Sequence, residues 1–137
     1  MKRAEIREYV FKLLYCTEFH EDEDLQKQYR LYMENLEQLG EIKEIKEKDK
    51  EYIINRVTDI VSRIDDIDKE IDKVAVSWKT DRMAKADLNI LRLAYYEMNI
   101  DYDIPKPVAV DQAVELAKKY GTDDSPSFVN GVLAKLF

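Results

Sequence analysis

Apolar residues recur along this chain at helical spacing. From Arg3 to about Phe19, the positions Ile6, Val10, Phe11, Leu13 and Leu14 follow the i, i+3, i+4 rule and predict a helix with one face on a core. A second helix is expected from an Asp24 cap through Leu25, Tyr29, Tyr32, Met33 and Leu36, with Gly40 supplying the stop after Leu39. The charged stretch Glu41 to Lys48 reads either as a loop or as a ragged helix start. Asp49 is placed to cap a third helix with a stripe of Tyr52, Ile53, Val57, Ile60, Val61 and Ile64. A short fourth helix follows from about Ile67 to Trp78, with Ile71, Val74 and Val76 apolar. From Asp87 the pattern changes. Leu88, Ile90, Leu91, Leu93, Ala94, Tyr95, Tyr96 and Met98 surround nearly the whole circumference, as expected for a central helix packed on several sides. Pro105-Lys106-Pro107 ends any preceding helix and suits the first turn of the next, which presents Val110, Ala113, Val114, Ala117 and Tyr120 and stops at Gly121. The last helix starts at Asp124 or Ser125, carries Pro126 in its first turn, and lines up Phe128, Val129, Val132, Leu133 and Leu136.

Composition agrees with an all-α fold. Glycine and proline occur three times each, too rarely for the frequent turns of a strand-rich protein. A length of 137 residues fits one domain, residues 1–137, and a chain of this size buries roughly two thirds of its unfolded surface. The single cysteine, Cys16, cannot close an intramolecular disulfide, and the N-terminus places Glu5 and Glu8 where a signal peptide needs an apolar run, so a cytoplasmic location is expected. Continuous apolar runs such as Leu93 to Tyr96 fall far short of the ~20 residues that cross a bilayer.

The net charge of -7 repels polyanions at long range, so any contact with nucleic acid needs a local basic surface. The first twelve residues supply one, with Lys2, Arg3, Arg7 and Lys12 against Glu5 and Glu8. By contrast Glu18, Glu21, Asp22, Glu23 and Asp24 gather acids on the first connection and read as a solvated turn.

Catalytic chemistry finds no footing. The only histidine, His20, stands four positions after Cys16, but no third orienting group or oxyanion loop accompanies the pair. Asp65, Asp66 and Asp68 fail as a calcium loop, because Glu70 and Val76 occupy the positions that require glycine and glutamate. They fail as the paired-aspartate motif of isoprenoid synthases as well, since Lys69 takes the last acidic position. Their expected role is a helix break whose carboxylates cap the fourth helix. The chain holds neither a CxxC nor a Gly-rich phosphate loop. The expectation is a protein with no enzymatic activity, no metal and no cofactor.

Four stretches carry a family resemblance. They are Arg3-Ala4-Glu5-Ile6-Arg7-Glu8 leading into Leu14-Tyr15; Trp78 and Arg82 approaching Asp87, with Ile90-Leu91-Arg92 and Tyr96-Glu97-Met98; the helix from Ala109-Val110 to Glu115-Leu116-Ala117; and Ser125 with Phe128-Val129-Asn130-Gly131-Val132-Leu133. Their order and spacing, across nearly the whole chain, resemble the NusB family of transcription antitermination factors. That resemblance implies a single domain of about seven helices in two helical subdomains. It implies a protein that pairs with NusE, a small-subunit ribosomal protein, and binds single-stranded boxA RNA. The complex would join RNA polymerase and other Nus factors in ribosomal RNA transcription, and the free protein could self-associate as a homodimer. The domain also heads some ribosomal RNA methyltransferases, for whose catalytic part 137 residues leave no room.

Carried over by position, Arg3 and Arg7, with Lys2 alongside, are implied RNA-backbone contacts. The bland reading is a solvated face. Denser family members have arginine where this chain has Ala4 and Glu5, and three phosphate contacts to a single strand give a salt slope of only about -2. A partner must supply the rest. Phe128 is implied beside the RNA, where its ring would stack on an unpaired base, or is simply core. Asp124 lies near the implied RNA path, where an acid weakens binding, or serves as an N-cap. For NusE the matching positions are Tyr15, Asp81 and Asp87, because carboxylates suit a basic ribosomal protein. The rival readings are core for Tyr15 and helix capping for Asp87. Gly131, inside the last helix, costs ~1 kcal/mol against alanine and is expected to permit close helix packing. A different class of function, an acidic helical protein-protein adaptor that never meets RNA, fits the net charge equally well.

Overall fold

The computed structural model describes residues 1–17, 25–40, 45–101 and 104–137, and every regular element among them is helical. The α-helices are α1 (Arg3–Thr17), α2 (Leu25–Gln38), α3 (Glu47–Ser62), α4 (Ile64–Val74), α5 (Lys85–Asn99), α6 (Lys106–Tyr120) and α7 (Ser125–Leu136), with one 3₁₀ turn at Thr80–Arg82. These are the seven helices that the hydrophobic pattern predicts. The expected end of the first helix at Phe19, the acidic connection, His20, the Asp24 cap and residues 41–44 lie outside the described residues.

The chain divides into two compact units, Met1–Val61 and Ser62–Phe137. The first holds α1, α2 and α3. Val10, Phe11, Leu13 and Leu14 bury the inner stripe of α1, Tyr29 and Met33 that of α2, and Ile53, Ile54, Val57 and Ile60 that of α3. Polar ties join the three helices. Thr17 donates from Oγ1 to the Leu13 carbonyl at 3.0 Å, which leaves the buried Tyr29 hydroxyl to donate to Thr17 Oγ1 at 2.7 Å. Lys50 pairs with Glu37 at 2.8 Å and Arg30 with Glu47 at 2.6 Å.

Helix α3 starts two residues before the expected cap. Asp49 lies in its first turn beside Glu47, where carboxylates suit the positive end of the helix dipole, and sits 3.7 Å from the chain's own α-amino group.

The second unit is built around α5, whose residues Leu88 to Ala94 and Tyr96 to Met98 are all buried. Helix α4 begins at Ile64, three residues earlier than expected, and its N-cap, Arg63, makes no side-chain capping bond. The aspartates therefore do not cap it as expected. Asp65 and Asp66 occupy the first turn, while Asp68 reaches across to α5 and accepts two bonds from Arg92, Nε at 2.8 Å and Nη2 at 2.7 Å. The helix also ends early, at Val74. From its last turn, Asp72 accepts the Thr80 N–H at 2.8 Å and its hydroxyl at 3.1 Å, fixing the 3₁₀ turn, while Val76 and Trp78, beyond the helix, are exposed.

Glycine is required where α6 meets α7. A Cβ at Gly121 would stand 2.4 Å from both Cβ and Oγ of Ser125 and 2.8 Å from the Ala117 carbonyl oxygen. Ser125 cannot easily retreat, because its Oγ accepts the Thr122 N–H at 2.9 Å. Gly131 is the opposite case. Nothing lies within 4 Å of a Cβ there, so the expectation that this glycine permits close helix packing is wrong. Gly121→Ala is expected to lower stability by about 2 kcal/mol through overpacking. Gly131→Ala should raise it by up to ~1 kcal/mol through helix propensity. Urea unfolding midpoints check both signs, and equal shifts in one direction would contradict the packing described.

Candidate nucleic-acid interface

The cationic start of α1 is smaller than the sequence suggests. Lys2 and Arg3 are exposed, and neither is ion-paired among the described residues. Arg7 is only 9% exposed. The reason is the helical period: residues 7, 10, 11 and 14 fall on one stripe, and Val10, Phe11 and Leu14 are the buried side of α1. Arg7 is therefore buried with that stripe while Arg3 is exposed, so the two do not form one solvated pair. Glu5 is exposed beside Lys2 and Arg3, which further narrows the positive patch.

Tyr15 sits near the other end of α1, 36% exposed, its ring tilted against Phe11 at a centroid distance of 6.2 Å. It is therefore not a core residue. Cys16 is half-buried, and burial pushes its thiol up, away from the easily ionised state a nucleophile needs. Among the described residues no group of three or more His, Cys, Asp or Glu is placed to hold a metal ion, and no helix is long and apolar enough to cross a membrane.

The remaining candidates belong to the second unit. Asp81 is exposed in the 3₁₀ turn. Asp87 lies in the first turn of α5, two residues past the actual start at Lys85, so it does not cap the helix. It is half-buried, and its Oδ1 is shielded from solvent without a hydrogen-bond partner, a costly state for a carboxylate oxygen unless another molecule donates to it. Asp124 occupies the N-cap position of α7 but makes no capping bond. Its backbone, at φ -85° and ψ -15°, is already helical, and a capping side chain needs extended backbone to reach back. Asp124 is thus an exposed acid.

Phe128 is half-buried and, rather than closing the core, lines a surface groove of about 280 Å³. Val76, Trp78, Gly131, Val132 and Lys135 line it too. Trp78, placed by its spacing at the end of the fourth helix, is instead 49% exposed beyond that helix, and Val76 is 71% exposed. Nothing in the local sequence distinguishes an indole on such a surface from one in a core. The one sequence signal for the open space at Gly131 is a helix-interior glycine with no evident reason.

Lys2, Arg3, Arg7 and Tyr15 thus belong to the first unit, at or on α1, while Asp81, Asp87, Asp124 and Phe128 all belong to the second.

Residues 4–137 match the NusB family. This chain belongs to the NusB family. The transcription antitermination protein NusB of Agathobacter rectalis is 44% identical over 135 residues, covering 98% of each chain. Among solved structures, T. maritima NusB superposes with a TM-score of 0.83 at 36% identity, over 99% of this chain and 90% of that one. A crystal structure of antitermination factors NusB and NusE in complex with dsRNA is similar at a TM-score of 0.77 and 25% identity, over 99% of this chain and 97% of that one. The NusB likeness extends over all seven helices, so the family's fold accounts for both units.

Proposed function

We propose that this chain is a non-enzymatic transcription antitermination factor that binds boxA-type RNA together with NusE and supports ribosomal RNA transcription. The observation that carries the reading is the end-to-end match to a relative named for antitermination, 44% identical with 98% of both chains covered. The solved NusB relative crystallised with NusE and double-stranded RNA supports the choice of partners. In this chain, Lys2 and Arg3 would meet the RNA backbone, with Arg7 contributing from its buried stripe. Tyr15, Asp81 and Asp87 would meet NusE, whose basic groups suit the unpartnered Asp87 oxygen. Asp124 would limit RNA affinity as an exposed acid near the RNA path, and Phe128 would contact a base. The wider assembly with RNA polymerase and other Nus factors would form in the cytoplasm, and self-association as a homodimer would compete with it.

The charge argues for a partner. A chain of net charge -7 with two exposed cations at its basic end binds a polyanion weakly alone. Titrating labelled boxA-type RNA, single-stranded and in a duplex, should show an affinity gain of about tenfold or more when NusE is present, equivalent to ~1.4 kcal/mol. No gain on adding NusE would replace this reading with that of an acidic protein-protein adaptor.

A further inference from the structure

We propose that the groove between α1 and α2 is a docking site for a basic amphipathic helix of a protein partner, separate from the surfaces assigned above to RNA and NusE. Helix α2 has two stripes. Tyr29 and Met33 on the inner one are core, while Gln28, Leu31, Asn35 and Gln38 recur at i, i+3, i+7 and i+10, the spacing by which one helix seats on another. All four line a groove of about 430 Å³ whose floor is the buried Leu13 and Tyr29. The outward face of a solvated helix normally carries charges, and 37% of this chain is charged, yet none of the four is. Leu31 is 50% exposed and Leu39, just past the helix end, 64%. A partner helix uses both kinds of residue: leucine gives apolar area and the amides fix the register.

Charge selects the occupant. No cation lines the groove, and its one charged residue is the exposed Glu34, which forms no ion pair among the described residues. Arg30 and Lys50, the cations that feel its charge, are already paired with Glu47 and Glu37. The seven residues between Thr17 and Leu25 add five carboxylates and no lysine or arginine. A negative field with an uncharged seam complements a basic helix and repels RNA. Of the residues proposed above to meet RNA or NusE, none lines this groove, so a helix there adds to that assembly instead of resting on it.

Cys16 is the chain's only cysteine and lines the groove half-buried, so its rate of reaction with a thiol reagent reports on occupancy. The probe is a labelled synthetic leucine-lysine amphipathic helix as long as α2, with a scrambled peptide of the same composition and a leucine-glutamate helix as controls. Peptide anisotropy and the Cys16 reaction rate are followed together on the full chain. The expected result is that the leucine-lysine helix alone binds, with NusE present or absent, and slows Cys16 modification, and that salt weakens the binding. Leu31→Arg should weaken it about tenfold and Glu34→Lys severalfold. Both side chains are exposed, so the unfolding midpoints should not move. No binding, equal binding by the scrambled peptide, or binding that leaves the Cys16 rate unchanged overturns the docking site and leaves the RNA-binding reading standing. Shielding of Cys16 by NusE alone, by boxA-type RNA alone, or by rising concentration of the chain itself overturns it in favour of that occupant.

Discussion

Arg92→Ala is expected to destabilise the protein by about 3 kcal/mol, because it strands a carboxylate that has no other ion-pair partner among the described residues. The guanidinium grips Asp68 with two parallel bonds of 2.8 and 2.7 Å and reaches Asn89 Oδ1 with a third at 3.1 Å. The Arg92 side chain keeps 9% of its surface and that of Asp68 21%, so water replaces little of what the substitution removes. The planar fork matters as well as the charge. Arg92→Lys cannot reproduce the two-pronged contact and should lose a large part of the same stability. Replacing the pair together, Asp68→Leu with Arg92→Met, should recover most of it, since an apolar pair of similar size needs no charge removed from water. Urea unfolding midpoints measure all three. An Arg92→Ala protein with an unchanged midpoint would mean that the bridge between α4 and α5 contributes nothing.

The helices themselves are legible because burial follows the 3.6-residue period so closely. Helix α5 reads as buried nearly all round and is so from Leu88 to Met98 apart from the half-buried Tyr95, down to Asn89, Arg92 and Glu97. The helix starts are less legible for a specific reason. Asp and Ser are the residues that mark a capped start in a sequence, yet α4, α5 and α7 begin without any side-chain capping bond. Their first turns draw on other features: the acids Asp65, Asp66 and Asp87 at two of them, and Pro126 at the third. Asp68 reads as a local cap because its true partner lies 24 residues away, a separation that no periodicity encodes.

The candidate interface is readable only in part. Lys2 and Arg3 stand where the charge pattern puts them, at the exposed head of α1. Arg7 is not their equal, and its spacing to Val10, Phe11 and Leu14 already marks it as a member of the buried stripe. Trp78 is hidden in the sequence because an apolar residue just after a helical stripe reads as its last member, and only the early end of α4 at Val74 turns it outward.

The proposal that RNA is held through a small cationic patch is tested most directly by Lys2→Gln with Arg3→Gln. Both side chains are exposed and unpaired among the described residues, so the folded protein should unfold at an unchanged midpoint. Arg7→Gln, by contrast, should lower stability first. The deciding measurement is the salt dependence of boxA-type RNA binding in the presence of NusE. With both cations neutralised, affinity at low salt should fall about tenfold, and the log–log slope should become shallower by about 1.4, at ~0.7 for each phosphate that no longer meets a cation. Equal affinity and an equal slope in the substituted and unsubstituted complexes would contradict it.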